Sequence, residues 1–146
     1  MTIDETVRLH ATCVVVGRTG VLLRGPPGAG KSDLALRLVE AGARLVADDQ
    51  TVLTRRGDAL VGRAPASLRG LIEVRGVGIV RLPAARLAAS ARILWLVDLV
   101  DDDVDRLPEP ASEVVLGVVL SLLRLRPFEA SASAKIGLAL TATRFA

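Results

Sequence analysis

The sequence predicts an α/β domain with a mixed sheet. Three observations carry that prediction: short valine-rich segments recur along the chain, one leucine- and alanine-rich stretch has helical composition, and a glycine-rich octapeptide lies between a segment of each kind. The 146 residues, 51% of them hydrophobic, suffice for one core, so 1–146 is read as a single domain.

Taken in order, residues 9–16 read as a strand, and the Gly17, Arg18, Thr19, Gly20 turn leads into a second strand at 21–24, as in a hairpin. Residues 34–40 combine leucines with helix-favouring Ala35, Arg37 and Glu40, and Gly42 is placed to stop that helix. A short buried strand at 44–47 runs into Asp48 and Asp49, and strands at 51–54 and 59–62 flank a turn at Gly57 and Asp58. Segments 71–74, 79–82 and 93–100 are apolar and rich in β-branched residues, with an alanine-rich short helix after Pro83. The acids of 101–105, with Pro108 and Pro110, form a loop; 113–125 holds two short strands, weakened at Gly117. Residues 131–142 form a terminal helix, capped near Ser131 or Ser133.

Composition excludes several classes. The net charge is only +3, from 19 basic and 16 acidic residues, and the high isoelectric point reflects the arginines. Trp95, Phe128 and Phe145 are the only aromatics, too few for the stacking platforms of single-strand and RNA binders, so no nucleic-acid partner is expected. Asp4 and Glu5 interrupt what a secretory signal would need, which places the chain in the cytoplasm, and the apolar run at 114–123 is about half a membrane span. The single cysteine, Cys13, excludes an intrachain disulfide and reads as a buried thiol.

The octapeptide GPPGAGKS, residues 25–32, fills the pattern G-x-x-x-x-G-K-[ST] after a strand and before a helix, the context a phosphate-binding loop requires. Pro26 and Pro27 lack an N–H, so the donors facing phosphate come from Gly28, Ala29, Gly30, Lys31 and Ser32, at the positive end of the helix dipole; Gly25 opens the loop. Lys31, one of only two lysines against 17 arginines, reaches the β/γ-phosphates, and the Ser32 hydroxyl is placed for magnesium. ATP and Mg2+ follow as the expected ligands. Asp48 and Asp49, at the end of the next strand, offer a carboxylate to the metal or to the nucleophile. Only one of them can face the phosphates unless the strand has ended. Glu73 and Arg75, two apart in IEVRGVG, share a face if that segment is a strand, and form either a substrate site or a surface ion pair. His10 falls in the strand before the hairpin, where a lone histidine among apolar residues is more often structural.

The combination of a histidine ahead of the loop, a paired aspartate after the loop helix and an E-x-R-G-x-G strand resembles the catalytic domain of HPr kinase/phosphorylase, well over residues 8–82 and weakly beyond. The resemblance implies a P-loop α/β core similar to the phosphoenolpyruvate carboxykinase-like nucleotide-binding fold, a cytoplasmic homo-oligomer that is commonly a hexamer, and ATP- and magnesium-dependent phosphorylation of a serine on the phosphocarrier HPr. It implies His10 as the active-site histidine, Lys31 as the loop lysine, Asp49 as proton acceptor with Asp48 supporting it, Ser32 and Glu73 as magnesium positions, and Arg75 as a residue used in both directions of transfer. Two departures stand out. Many members carry an additional N-terminal domain, whereas this chain begins almost directly at the catalytic part, so regulation or assembly through that domain is expected to be lost. Where the family has an RPGRN-like loop, this chain reads RPFEAS, keeping Arg126 but not the second arginine or the glycine, so kinase activity is expected ahead of phosphorylase activity. A small-molecule kinase and a noncatalytic ATP-binding regulator are the alternatives. A guanine-nucleotide switch is not expected, because the chain has no asparagine and so lacks the N-K-x-D motif that reads the base in such switches.

Overall fold

The structure is a computed structural model and describes residues 5–142; Asp4 and Phe145 lie outside that range. The strands are β1 (Thr6–Leu9), β2 (Ala11–Val16), β3 (Thr19–Arg24), β4 (Arg44–Ala47), β5 (Thr51–Arg56), β6 (Ala59–Arg63), β7 (Leu71–Val74), β8 (Gly78–Arg81), β9 (Ala91–Leu99), β10 (Ala111–Val115) and β11 (Val118–Leu125). Helix α1 (Lys31–Glu40) follows the glycine-rich loop, and α2 (Ala132–Thr141) ends the described chain. The alanine-rich piece is a single 3-10 turn, Ala84–Arg86. Among the described residues no helix is long and apolar enough to cross a membrane.

A nine-stranded mixed sheet runs β1-β5-β6-β9-β3-β2-β4, with β11 and then β10 branching from β9, and β7 and β8 form a separate hairpin. Strand β3 is parallel to β9, and β9 to β11, while β2 is antiparallel to both β3 and β4. The C-terminal ends of β4, β3, β9 and β11 therefore share one edge of the sheet, together with the beginning of β2. In open α/β sheets this is the edge at which ligands collect.

Alternation along the strands divides the core between the two faces. Val14, Val21 and Leu23 join Leu34 and Leu38 of α1 and Ile136 of α2 on one face; Cys13, Val15, Leu22, Leu53 and Leu60 pack on the other. Each fully buried leucine here is worth about 1.5–3 kcal/mol. Strand β9 serves both clusters through a bulge: Gly20 pairs with Ile93 but Val21 pairs with Trp95, so one extra residue, Leu94, shifts the pleat. Ile93 and Leu96 thereby face one cluster and Val97 and Leu99 the other. Cys13 is fully buried, and burial pushes its thiol well above the usual range.

Two expectations need correction. Residues 9–16 are not one strand: His10 is a bend between β1, which pairs with β5, and β2, which pairs with β3 and β4. The chain breaks there because it changes partners. Arg75 lies beyond the end of β7, in the turn before β8, so it does not share a strand face with Glu73. Gly42 behaves as expected, at φ 110° with its N–H on the Val39 carbonyl and the Ala43 N–H on Leu38, a Schellman stop. Ser131 occupies the N-cap position of α2, without a side-chain capping bond.

Candidate functional site

The loop between β3 and α1 is shaped by its glycines. Gly28 and Gly30 have φ of 81° and 98°, in the left-handed region open to glycine, and Gly30 is the N-cap of α1 with no side-chain cap. The first-turn N–H groups of α1 are thus left for an anion rather than for a serine or aspartate cap. Lys31, 5% exposed, folds its ammonium back to donate to the carbonyls of Gly25 at 2.8 Å and Pro26 at 3.2 Å.

Asp48 organises the ground beside that loop. Its Oδ1 accepts from Ser32 Oγ at 2.7 Å and from Thr12 Oγ1 at 3.0 Å, and its Oδ2 accepts the Glu73 N–H at 3.0 Å. One carboxylate therefore ties together α1, β2, β4 and β7. Strand β4 has ended at Ala47, and Asp49 takes φ 66°, so the two aspartates are not held to opposite faces. The Asp49 N–H donates to Thr12 Oγ1 at 3.0 Å, and its Oδ1 lies 2.9 Å from His10 Nε2, both side chains half exposed. Thr12 is a residue the sequence reading missed. A threonine facing two aspartates across a β-ladder is visible only once β2 and β4 are known to pair.

His10, Lys31, Ser32, Asp49, Glu73 and Arg75 line one cavity of about 420 Å³, with Pro27, Gly28 and Gly30 of the loop. Asp48 lies beneath it, on Ser32. Arg126 is not among these residues: it lines a neighbouring cavity of about 880 Å³ and sits 3.6 Å from Asp103. Pro26 and Ala29 line that second cavity too, while Pro27, Gly28 and Phe128 border both. Gly25 closes the loop against Ala29 and Leu99, where a Cβ would come within 2.8 Å of Ala29.

Among the described residues no group of three or more His, Cys, Asp or Glu could hold a metal unaided. Magnesium at such loops needs no closed cage: it takes one hydroxyl, one or two carboxylates, water and phosphate oxygens. Ser32 with Asp48 at 2.7 Å fits that demand. Glu73 reaches this cluster through its main chain, and its side chain lines the same cavity.

A second charged cluster braces the edge from which the loop departs. Arg24, the last residue of β3, grips Asp98 of β9 in a fork at 2.7 and 2.9 Å, and its Nη2 also donates to Glu113 of β10 at 2.8 Å. The hydrogen bond from Arg24 holds the Glu113 carboxyl below its usual range, and Asp98 and Glu113 raise the guanidinium further above its own.

The HPr kinase/phosphorylase of Exiguobacterium sibiricum is 45% identical over 96 residues, covering 65% of this chain and 31% of that protein. The one from Leptothrix cholodnii is 39% identical over 125 residues, covering 78% and 38%. The chain thus spans about a third of the length of these curated relatives. The solved structure of the Hpr(Ser) kinase/phosphatase from Coxiella burnetii superposes with a TM-score of 0.80 at 25% identity, over 92% of this chain and 88% of that one. Residues 2–119 match the family model described as the HPr Serine kinase C-terminal domain, and with the loop, the aspartate pair and the sheet edge in place the chain belongs to that family.

Proposed function

We propose that this domain, with ATP and magnesium, phosphorylates a serine on an HPr-like phosphocarrier protein. The observation that carries the proposal is the His10–Asp49 pair at 2.9 Å, half exposed at the mouth of the loop cavity, beside an Asp48–Ser32 contact placed for the metal. A base that serves a hydroxyl on another protein has to be reachable from outside, and Asp49 is.

The chemistry divides among the residues as follows. Gly28, Gly30, Lys31 and Ser32 present N–H groups, and Lys31 an ammonium, to the phosphates; the Ala29 N–H, expected to join them, donates instead to the Pro26 carbonyl at 3.0 Å. Ser32 and Asp48, with Glu73 lining the same cavity, would hold the magnesium, which would supply positive charge against the phosphate oxygens. His10 Nε2 lies 2.9 Å from Asp49 Oδ1 and pairs with that carboxylate. Asp49 accepts the serine proton as the hydroxyl oxygen attacks the γ-phosphorus and the bond to the β-phosphate oxygen breaks; a serine hydroxyl near neutral pH is too weak a nucleophile without that transfer. Arg75, in the turn that lines the cavity, meets the incoming phosphoacceptor. Arg126 lines the adjacent cavity and not the one that Asp49 lines. The family resemblance adds a cytoplasmic setting and a homo-oligomer, commonly a hexamer; light scattering of the purified chain checks the assembly.

The test is transfer of labelled γ-phosphate from ATP and magnesium to purified HPr-like carrier, in wild type beside Asp49→Asn and Lys31→Ala. Serine labelling that vanishes in both variants is expected. ATP binding with no labelling of any carrier would overturn the protein-kinase reading.

A further inference from the structure

Phe128 stands at the junction of the two cavities and has no role in the chemistry above. It is 69% exposed, whereas Trp95 packs against the core. Exposure alone is ordinary for a single apolar side chain; what sets this ring apart is its place bordering both cavities and against the phosphate loop. The ring is also held in place rather than loose. Its tip rests on the loop, so that a Cβ at Gly30 would meet Phe128 Cζ at 2.8 Å. Its own segment is tied to α1 by Arg37, which donates to the carbonyls of Pro127 and Glu129 and pairs with Asp33 at 3.0 Å.

The order of strands sets direction along this edge. Asp49 and His10 stand at the end of β4 and the start of β2, the phosphate loop at the end of β3, and Val100 to Asp102 and Arg126 to Phe128 follow the ends of β9 and β11. A nucleotide whose γ-phosphate lies by Asp49 and whose phosphates follow the loop across Gly28 has its nucleoside end delivered past Phe128. There the larger cavity offers an apolar floor of Leu99, Val100 and Pro127, with Asp101 and Asp102 at its rim. A base can lie on such a floor and ring, and ribose hydroxyls can donate to such carboxylates.

We propose that the cavity bounded by Phe128 and Leu99 is the nucleoside subsite, and that the Phe128 ring is the platform on which a purine base stacks. This rests on the reading above that the loop cradles ATP, and it adds a specificity residue from the segment following the last strand. The sequence showed an aromatic in RPFEAS, but its place beside Gly30 follows only from the fold.

The experiment compares calorimetric titrations of Mg-ATP and Mg-tripolyphosphate into the full chain as wild type, Phe128→Ala and Phe128→Trp, with thermal melts to verify folding. Tripolyphosphate has the phosphates without the nucleoside. Phe128→Ala is expected to weaken ATP binding about ten-fold or more, the size of a lost base-aromatic stack, to leave tripolyphosphate binding within about two-fold, and to be rescued by Phe128→Trp. Equal weakening of both ligands would make the ring a prop for the loop and overturn the proposal; so would unchanged ATP binding, which would place the base elsewhere. A wild type that binds ATP but labels no carrier sinks the kinase reading alone, while one that binds neither ligand overturns both.

Discussion

Asp48 and Arg126 stand on the same edge of the sheet and are secured by different means. Asp48 is 9% exposed and accepts hydrogen bonds from Ser32, Thr12 and the Glu73 main chain, all supplied by separate elements. Arg126, half exposed, sits 3.6 Å from Asp103, whose side chain is fully open to water. The ground around Asp48 is thus built into the packing of strands and helix, while Arg126, among the described residues, is held only by a long, exposed ion pair. Placement to a fraction of an ångström needs hydrogen bonds that fix the side chain, and Asp48 has them where Arg126 does not.

The sharpest way to break that contrast is at Asp49. Asp49→Asn is expected to cut transfer to carrier by about a hundred- to ten-thousand-fold, the usual share of a positioned base. Asparagine tolerates the left-handed φ of 66° there, so urea unfolding should move by less than about 0.5 kcal/mol. A large stability loss instead would make Asp49 a structural group like its neighbour. Asp48→Ala comes next. It strands Ser32 Oγ, Thr12 Oγ1 and the Glu73 N–H together, and should cost about 2–4 kcal/mol in urea unfolding, in addition to transfer. A variant of wild-type stability would show that the network adds nothing to the fold.

Much of this was legible before any coordinates. The loop, its helix and its flanking strand are local features, set by glycine spacing and by Gly42, and they stand where the pattern put them. The two short strands read within 113–125 stand as β10 and β11, parted at Gly117, which takes φ 77°. What escaped was non-local. The break at His10 depends on β1 pairing with β5, and Thr12 depends on the pairing of β2 with β4, neither of which periodicity reveals. Arg75 escaped because a four-residue strand ends without a proline or a helix signal to mark it.

The bracing cluster at Arg24 supplies a smaller, pH-dependent effect. Glu113 titrates below its ordinary 4.5 in the folded chain because Arg24 hydrogen-bonds its charged form. A carboxyl so depressed adds stability that is fully present above about pH 4.5 and is lost as pH falls through the folded value. Unfolding of wild type and Glu113→Gln, followed from pH 7 down to pH 3, should therefore show the wild type ahead at neutral pH and the gap closing in acid. A gap independent of pH would mean that the side chain contributes by packing alone.

The smallest effect is expected at Arg126→Gln. Its pair with Asp103 is long and both partners lie in water, where the gain from attraction is offset by the entropy of holding two flexible side chains. The melting transition should therefore shift by no more than about 0.5 kcal/mol in stability, even though the same residue lines the cavity beside the loop. A loss of several times that would show the second cavity to be as firmly built as the first, and the division between a hydrogen-bonded side at Asp48 and an open side at Arg126 would have to be given up.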